Sequence, residues 1–355
     1  MSKMLEEIRQ QPAALEKTLR AGLRQAEALR RRFEKSRPRM VVLAARGTSD
    51  NAAQFGRYLI EITTGIPVSL AAPSISTLYH APLHLEGALL VGISQSGEST
   101  DTNMVLEEGR RQGAMTLGIT NEAGSSMARL SDQVLLVRAG KEISVAATKT
   151  YTGQLMAFYL LARALGAPVD LGDLERLPEA AAAGLKLEPE VAARAERYRF
   201  MDHAVVVGRG LNYANAFEWA LKLMETCYVV AERFSQADIL HGPIAMVGRA
   251  FPAFLFTPPG VTWPVMRELA ERLRQLQTEM LVVTDRSNRE APREAIVIPA
   301  RLAAGARRTA RGLPEDVFTP IPYIVPAQIF AASLARIKGF DPDKPRGLSK
   351  VTQTL

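Results

Sequence analysis

A loop rich in hydroxyl groups lies in the first third of the sequence, at residues 94–100 (SQSGEST). An apolar run at 87–93 precedes it, and a helical pattern follows from about Asp101. At such a strand–loop–helix corner, backbone N–H groups and the positive end of the helix dipole converge on one position. Because the loop supplies four hydroxyls and one amide but no lysine, its composition favours a monophosphate over a nucleotide. Taken alone, a turn that only caps the helix is an equally good interpretation.

A similar corner at residues 47–50 (GTSD) follows the apolar run at 40–45. Its Thr48 and Ser49 hydroxyls offer further hydrogen-bond donors at an equivalent turn. The two corners together indicate an anion site in the first half of the chain.

Three ionisable side chains in the second half of the chain share one face of a helical pattern. Lys222 and Glu218 precede Glu225 by three and seven residues, which places all three on one side of a helix. A carboxylate held in this way could move a proton between C1 and C2 of a sugar. Charged residues on one helical face more commonly form a solvated stripe, and spacing alone leaves that interpretation open.

Two more residues are set apart by their type and position. His241 lies in a Leu-His-Gly-Pro segment, and an imidazole near its free pKa could shuttle the proton that opens a sugar ring. Lys350 lies close to the C-terminal Leu355 and follows Arg346. Considered by themselves, the histidine is a surface or capping residue and the lysine is part of a frayed basic tail.

Short apolar runs and helical patterns alternate along the chain and predict the elements that position these residues. Apolar residues at near-helical spacing predict a helix over 5–36, which Pro38 ends. Strands are predicted at 40–45, 87–93, 115–120 and 133–137. Parallel strands that are buried on both faces and joined by crossover helices have this pattern, so the fold class is α/β.

The second half of the chain repeats the first at an almost constant offset. Residues 41–61 align with 204–225, and each segment has an apolar strand, an Arg-Gly turn and an amphipathic helix that ends in glutamate. Three anchor pairs keep the offset: Gly47 with Gly210, Gly97 with Gly260, and Thr120 with Thr284. The repeat predicts a tandem duplication. The counterpart of the hydroxyl-rich loop, residues 257–263 (TPPGVTW), lacks its serines, so one ligand site per chain is expected.

The predicted architecture is therefore two tandem parallel-sheet α/β sandwiches with an N-terminal helix and a C-terminal tail. The predicted segments are a helix at 1–38, a first domain at 39–170, a linker at 171–199, a second domain at 200–340 and a tail at 341–355.

Composition excludes several classes of protein. Apolar residues make up 47% of the 355 residues and charged residues 23%, which fits a globular chain and not a disordered one. The single cysteine, Cys227, rules out an intramolecular disulfide framework and a cysteine-based zinc cluster. His80 and His84 flank Pro82, which spoils a helical metal pair, so neither a metal nor another cofactor is expected.

The formal net charge of +7 comes mainly from two short basic clusters, so no nucleic-acid partner is expected. The clusters are Arg30, Arg31, Arg32, Lys35, Arg37 and Arg39, and Arg301, Arg307, Arg308 and Arg311. No apolar stretch is long enough to span a membrane, and the N-terminus has no signal-peptide apolar region. A cytoplasmic protein without a membrane partner is expected.

Six segments, in order and with matching spacing, carry a resemblance to a known family. They are 47–49 (GTS), 93–100 (ISQSGEST), 140–151 (GKEISVAATKTY), 208–227 (GRGLNYANAFEWALKLMETC), 239–247 (ILHGPIAMV) and 343–350 (DKPRGLSK). From about residue 40 onward, the chain resembles the double sugar-isomerase (SIS) domain of glucosamine-6-phosphate synthase, which implies two flavodoxin-like SIS domains. The resemblance implies that the sugar phosphate is held by Ser49, Ser94, Gln95, Ser96 and Ser99, with Thr48, Val145 and Ser349 also at the sugar.

The resemblance also implies the catalytic roles. Glu225 corresponds to the base that transfers the proton, with Lys222 beside it. His241 fills the ring-opening position, which the synthase contributes across a dimer interface, so a homodimer is expected. Lys350 occupies the position that forms a Schiff base with an open-chain ketose, and the neighbouring cation Arg346 could lower the pKa of this lysine.

The expected reaction follows from the lack of a cysteine that could serve the glutaminase of the synthase. The sequence begins Met-Ser-Lys and has no cysteine before Cys227, so the cysteine-dependent glutaminase of the synthase is not expected here. The same chemistry is then expected in reverse, as in stand-alone glucosamine-6-phosphate deaminases that resemble this chain. Glucosamine 6-phosphate and water would give fructose 6-phosphate and ammonia. Departures from the synthase pattern at Arg46, Met224 and Ser349 leave other amino-sugar or glycated-amine phosphates open.

Other functions also fit part of these observations. A glutamine- or ammonia-type fructose-6-phosphate aminotransferase isomerase domain, or a fructosamine-6-phosphate deglycase, would use the same groups. A non-catalytic sugar-phosphate sensor would need the serine loop but not Glu225, His241 and Lys350 together. A regulator would also need a DNA-reading module, and 38 residues before the first predicted domain are too few for one.

Overall fold

The computed structural model describes residues 2–292, 294–302 and 312–350. It begins with two helices, α1 (Lys3–Arg9) and α2 (Gln11–Lys35), so the helix predicted over 5–36 is present with one interruption at Gln10. The break at Gln10 has a local cause. Pro12 has no N–H to donate, and in a continuous helix its ring would meet the carbonyl of Ile8. Arg307, Arg308 and Arg311 of the second basic cluster lie outside the described residues.

The chain divides into two compact units. The first-sheet unit contains Ala13–Ile143, Lys149–Glu175 and the residues from Leu348 onward. The second-sheet unit contains the residues up to Pro12, Ser144–Thr148 and Arg176–Gly347. Neither unit is one continuous stretch of sequence, and the boundaries at 38, 170, 199 and 340 stay a prediction.

The first-sheet unit is built on five parallel strands in the order β2-β1-β3-β4-β5. The strands are β1 (Met40–Ala44), β2 (Val68–Leu70), β3 (Ala88–Ser94), β4 (Met115–Thr120) and β5 (Gln133–Leu136). The helices between and after them are α3 (Thr48–Thr64), α4 (Ser74–Thr77), α5 (Thr100–Arg111), α6 (Ser126–Leu130), α7 (Lys149–Ala164) and α8 (Leu171–Glu175). The four predicted strands are confirmed, and the three-residue β2 is an addition to them.

The second-sheet unit also has five parallel strands, in the order β10-β9-β8-β6-β7. They are β6 (His203–Gly208), β7 (Val230–Ser235), β8 (Pro252–Phe256), β9 (Glu279–Asp285) and β10 (Ile296–Ile298). Its later helices are α9 (Leu177–Leu185), α10 (Glu188–Glu196), α11 (Tyr213–Cys227), α12 (Gln236–Leu240), α13 (Trp263–Gln275) and α14 (Pro320–Ile337). Three short 3-10 turns lie at Gly210–Asn212, Pro243–Met246 and Glu315–Phe318.

The two sheets have the same connectivity, which confirms the predicted duplication. In each sheet the first strand in sequence pairs with the second on one side and with the third on the other. The strand order reverses between the first and third strands, and in open α/β sheets ligands bind at this reversal, beyond the carboxyl ends of the strands. In the first sheet the loops at this position are 45–47, which leads into Thr48 and Ser49 of α3, and 95–99.

Buried helices hold the residues of interest in place. In the first-sheet unit, nearly every residue of α7 is buried, and Tyr159 packs edge-on against Phe55 of α3 with 5.2 Å between ring centroids. In the second-sheet unit, Trp219 of α11 contacts Phe330 of α14 at 5.6 Å between centroids. Aromatic packing of this kind fixes the orientation of α3 and α11. Although most residues of α14 are buried, none of the described helices combines the length and apolarity needed to cross a membrane.

Candidate active site

The corner after β1 presents a hydroxyl group held from behind by a buried amide. Gly47 has a φ of 55°, a value that favours glycine, and it precedes the first turn of α3. Ser49, in that turn, is buried, and its Oγ accepts a hydrogen bond of 2.9 Å from the side-chain amide of Gln154 on α7. Thr48 is half-buried beside it. The Ser49 hydroxyl therefore has a fixed position at the carboxyl end of β1.

The loop after β3 is folded by its own serine side chains. Ser94 Oγ accepts a bond of 3.1 Å from the N–H of Gly97, and Ser96 Oγ accepts one of 3.2 Å from the N–H of Glu98. Gly97 has a φ of 69°, and a Cβ at this position would lie 2.2 Å from Ser125 Oγ. Only glycine fits here, so the tight turn at residues 94–99 is fixed by packing as well as by hydrogen bonds.

An arginine and a buried aspartate connect the two corners of the first sheet. Asp101 is 1% exposed, and its Oδ2 lies 2.5 Å from Nε of Arg46. The other oxygen, Oδ1, accepts 2.9 Å hydrogen bonds from Ser99 Oγ and from the N–H of Thr102. Arg46 keeps 54% of its side chain exposed. One of the three departures from the synthase pattern thus puts a cation at the serine corners, next to the predicted phosphate residue Ser99.

The charged face of α11 is buried, so the interpretation of a solvated stripe is wrong. The side chains of Glu218 and Lys222 are 0% exposed, while Glu225 is 21% exposed. The Lys222 ammonium lies 3.4 Å from Glu218 and 2.6 Å from Glu225. Burial lowers the pKa of Lys222, but Glu218 and Glu225 raise it more, so the pKa lies above its ordinary value. A buried cation therefore fixes a carboxylate that solvent can reach.

A carboxylate that sequence reasoning missed lies against Lys350. Glu142 follows β5 and is buried, and its two oxygens accept hydrogen bonds from the N–H and the hydroxyl of Thr150 at the start of α7. Lys350 donates to Oε2 of Glu142 over 3.3 Å. The sequence held one indication of this residue: Glu142 is the single acidic residue in segment 140–151, one of the six segments that carry the family resemblance.

The remaining predicted residues lie in both units. In the second-sheet unit, His241 is exposed directly after α12, and Val145 is half-buried in the segment Ser144–Thr148. The guanidinium of Arg346 lies 4.0 Å from the centre of the Tyr228 ring. The backbone N–H of Arg346 donates a hydrogen bond to the Tyr228 hydroxyl. The predicted effect of Arg346 on Lys350 stays a prediction. In the first-sheet unit, Ser349 is exposed and Gln95 is half-buried.

Neither a metal centre nor a reactive thiol is evident in the described part of the chain. Across residues 2–292, 294–302 and 312–350, no three His, Cys, Asp or Glu side chains are grouped to hold a metal ion. Cys227 is buried, its Sγ donates to the carbonyl of Ala331, and burial raises the pKa of its thiol to about 12. Cys227 is therefore a core residue, since a thiol with so high a pKa is not a thiolate at neutral pH.

Two duplicated parallel sheets with a serine-rich corner at the switch point of the first define the class of protein. The sequence profile of the SIS domain matches residues 35–164 and 199–307, and the chain belongs to this family. The predicted resemblance to SIS-domain proteins is therefore confirmed.

Individual relatives show which members of the family this chain resembles. The chain is 33% identical over 353 residues to the glutamine–fructose-6-phosphate aminotransferase [isomerizing] of Pyrococcus horikoshii, with 98% of this chain and 57% of the relative aligned. It thus spans little more than half of that enzyme. The C-terminal domain of the glucosamine-fructose-6-phosphate aminotransferase from Francisella tularensis superposes with a TM-score of 0.86 at 29% identity, covering 97% of this chain and 98% of that one.

A deaminase shares the fold at lower sequence identity. The glucosamine-6-phosphate deaminase of Thermotoga maritima superposes with a TM-score of 0.75 at 22% identity, over 99% of this chain and 100% of that one. At this identity the likeness shows the fold alone. The closer relatives support an enzyme of the sugar-phosphate isomerase type, homologous to the isomerase part of the aminotransferases.

Proposed function

We propose that this chain is a glucosamine-6-phosphate deaminase, which converts glucosamine 6-phosphate and water to fructose 6-phosphate and ammonia. The observation that carries the proposal is the Glu225 carboxylate, which is 21% exposed and held 2.6 Å from the buried ammonium of Lys222. A carboxylate that is both accessible and rigid suits the removal and return of a carbon-bound proton. A protein that only bound sugar phosphates would have no need of it.

The first-sheet corners are proposed to bind the phosphate. Ser49, the 94–99 loop and the first turns of α3 and α5 supply hydroxyl and N–H donors, and helix N-termini favour anions. Arg46 adds one positive charge close to Ser99. The donor set suits a monophosphate, because each oxygen of the group can accept from a hydroxyl or a backbone N–H.

The direction of the reaction is inferred from the cysteine content of these 355 residues. Their one cysteine is buried, and the pKa of its thiol is raised to about 12, so no thiolate in this sequence could release ammonia from glutamine. For these residues we propose that ammonia is exchanged with solution. Dilution of ammonia draws the reaction toward fructose 6-phosphate.

The proposed steps need only side chains and water. His241 transfers the anomeric proton and opens the ring. Glu225 takes the proton from C2 and returns it to C1, which converts the amino aldose to a ketose imine. Water adds to C2 of this imine and ammonia leaves, so that fructose 6-phosphate is formed. Lys350 can form a Schiff base at C2 with the open-chain ketose, as the resemblance implies.

The direct test is ammonia release from glucosamine 6-phosphate by the purified chain. Release with formation of fructose 6-phosphate supports the proposal. Tight binding of the sugar phosphate without release from it or from any other amino-sugar phosphate would point to a sensor. Release only from fructosamine 6-phosphates would point to a deglycase.

Replacing Arg46 with alanine is expected to raise the KM for glucosamine 6-phosphate about tenfold with little change in kcat, because a charge-assisted hydrogen bond contributes roughly 1.5–3 kcal/mol to binding. Steady-state kinetics at low ionic strength measure both constants. Arg57→Ala is the matched control, since Arg57 is a similarly exposed arginine farther along α3. An unchanged KM in the Arg46 variant would mean that this arginine only braces Asp101.

We also propose that the working enzyme is a homodimer in which His241 serves the partner's reaction. Mixing inactive Glu225→Gln and His241→Ala chains, with subunit exchange, is then expected to restore roughly a quarter of wild-type activity, because half of the dimers are mixed and each has one intact set of groups. Mixing Glu225→Gln with Lys222→Met chains is the control. It is expected to restore no activity, because each subunit then carries a change in its own α11. No recovery in the first mixture would refute the shared arrangement.

A further inference from the structure

We infer that Glu142 is the positioning residue and counter-ion of Lys350, an inference that rests on the proposed function because it concerns the Schiff base of that reaction. The carboxylate of Glu142 is completely buried, and its Oε2 lies 3.3 Å from Nζ of Lys350, whose side chain is 25% exposed. The two residues are 208 positions apart in the sequence. The pair therefore fixes the one lysine of the C-terminal segment 348–350 against the first-sheet unit.

The surroundings of Glu142 hold its carboxylate in one orientation. The N–H of Thr150 donates to Oε1 over 3.1 Å, and the Thr150 hydroxyl donates to Oε2 over 2.5 Å. Thr150 lies in the first turn of α7, where the helix dipole favours a negative charge. These contacts fix the direction of both carboxylate oxygens, and a buried carboxylate is stable when a cation lies beside it.

The charge balance of the Schiff base explains what the carboxylate does. Nζ loses a proton as it attacks C2 of the open-chain ketose, and the resulting carbinolamine loses its hydroxyl as water. The ammonium and the ketone thus give a protonated imine and water, with no net gain or loss of protons. Nζ gives up a second proton to the former ketone oxygen, which becomes the carbinolamine hydroxyl, and Oε2 of Glu142 can accept the first proton and return it to that hydroxyl as it departs. The protonated imine carries the same single positive charge as the ammonium, so the carboxylate stabilises it equally.

A purely structural role for Glu142 makes a different prediction. If the residue only joined the 137–148 segment to α7, its bonds to Thr150 would be its function, and glutamine could accept the same hydrogen bonds. A counter-ion must keep its charge. The two roles therefore separate in variants that change the charge without the shape, or one hydrogen bond without the charge.

The test is reductive trapping on the whole chain. Protein is incubated with fructose 6-phosphate and sodium borohydride, which reduces the imine to a stable secondary amine, and the labelled Lys350 is quantified by mass spectrometry. Glu142→Gln is expected to lower labelling at least about tenfold, while Glu142→Asp and Thr150→Val stay within about threefold of wild type because both keep the negative charge. Melting temperatures confirm that each variant is folded.

The outcomes are separable from those of the proposed function. Equal labelling of wild type and Glu142→Gln overturns the inference, as does a wild-type chain that is never labelled at Lys350. Labelling that is lower in Glu142→Asp than in Glu142→Gln also overturns it when the melting temperatures show that both variants are folded. Ammonia release is measured on the same preparations. Its absence from wild type refutes the deaminase, whereas trapping with the ketose still reports on Glu142 and Lys350.

Discussion

Replacing Glu225 with glutamine is expected to lower kcat for ammonia release by about 10³-fold, within the range that general acid–base groups contribute. The substitution keeps the size of the side chain and removes its ability to accept a proton. Because Lys222 and Glu218 stay in place beneath it, the helix face keeps its buried ion pair. The loss is therefore expected in the chemical step and not in binding of the sugar phosphate.

Hydrogen exchange at carbon gives the sharpest measurement. In deuterium oxide the wild-type chain is expected to incorporate deuterium at C1 of fructose 6-phosphate, because the proton that Glu225 takes from C2 can exchange with solvent before it is returned to C1. Glu225→Gln is expected to stop this incorporation, as seen by proton NMR. The KM should change less than about threefold, because a lost proton transfer affects the transition state and not ground-state binding.

Glu232→Gln is the matched control, since this exposed glutamate lies on β7, close after α11 in sequence. It should behave as wild type in both assays. Wild-type rates of deuterium incorporation in the Glu225 variant would remove this residue from the mechanism. The Glu142 carboxylate would then be the next candidate for the base.

Features that depend on local sequence could be predicted. The strands at 40–45, 87–93, 115–120 and 133–137 follow from apolar runs, since a strand buried on both faces has no polar side. The Arg-Gly turns at Gly47 and Gly210 mark the same strand–helix corner in both sheets, where both glycines have positive φ. Periodicity thus predicted the duplicated architecture, and glycine positions predicted the corners at the switch point.

Features that depend on distant packing could not be predicted. The spacing of Glu218, Lys222 and Glu225 fixes a shared helical face but not whether that face is buried. Packing of α11 against α14, with Trp219 on Phe330, decides the burial. Glu142 is similar, because its contact with Lys350 joins residues 208 positions apart in the sequence. No local pattern reports a charge that is compensated from so far along the chain.

Replacing Lys222 with methionine is expected to cost both stability and activity. The change removes the cation 3.4 Å from the fully buried Glu218 carboxylate and 2.6 Å from Glu225. Breaking a buried ion pair in this way typically costs about 3–5 kcal/mol, because a buried charge loses its compensation. Urea denaturation is expected to show that decrease in the free energy of unfolding. The kcat should also fall, because the carboxylate of Glu225 loses its fixed position.

A second substitution separates the two losses. Adding Glu218→Gln to Lys222→Met removes the buried negative charge as well, so most of the lost stability is expected to return. Activity is not expected to return, since Glu225 still lacks its ammonium partner. Recovery of both would mean that Lys222 acts on stability alone.

The alkaline limb of the stability curve provides an independent check on Lys222. Its pKa in the folded chain is raised above the ordinary value of 10.5 by Glu218 and Glu225, which outweigh the opposing effect of burial. The resulting stabilisation is fully present below pH 10.5 and is lost as the pH rises through the higher folded pKa. Between pH 10.5 and that higher folded pKa, the unfolding free energy of wild type should fall more steeply than that of the Lys222→Met/Glu218→Gln variant. Parallel curves would show that the ammonium is not held by these carboxylates, and the fixed position of Glu225 would then need another source.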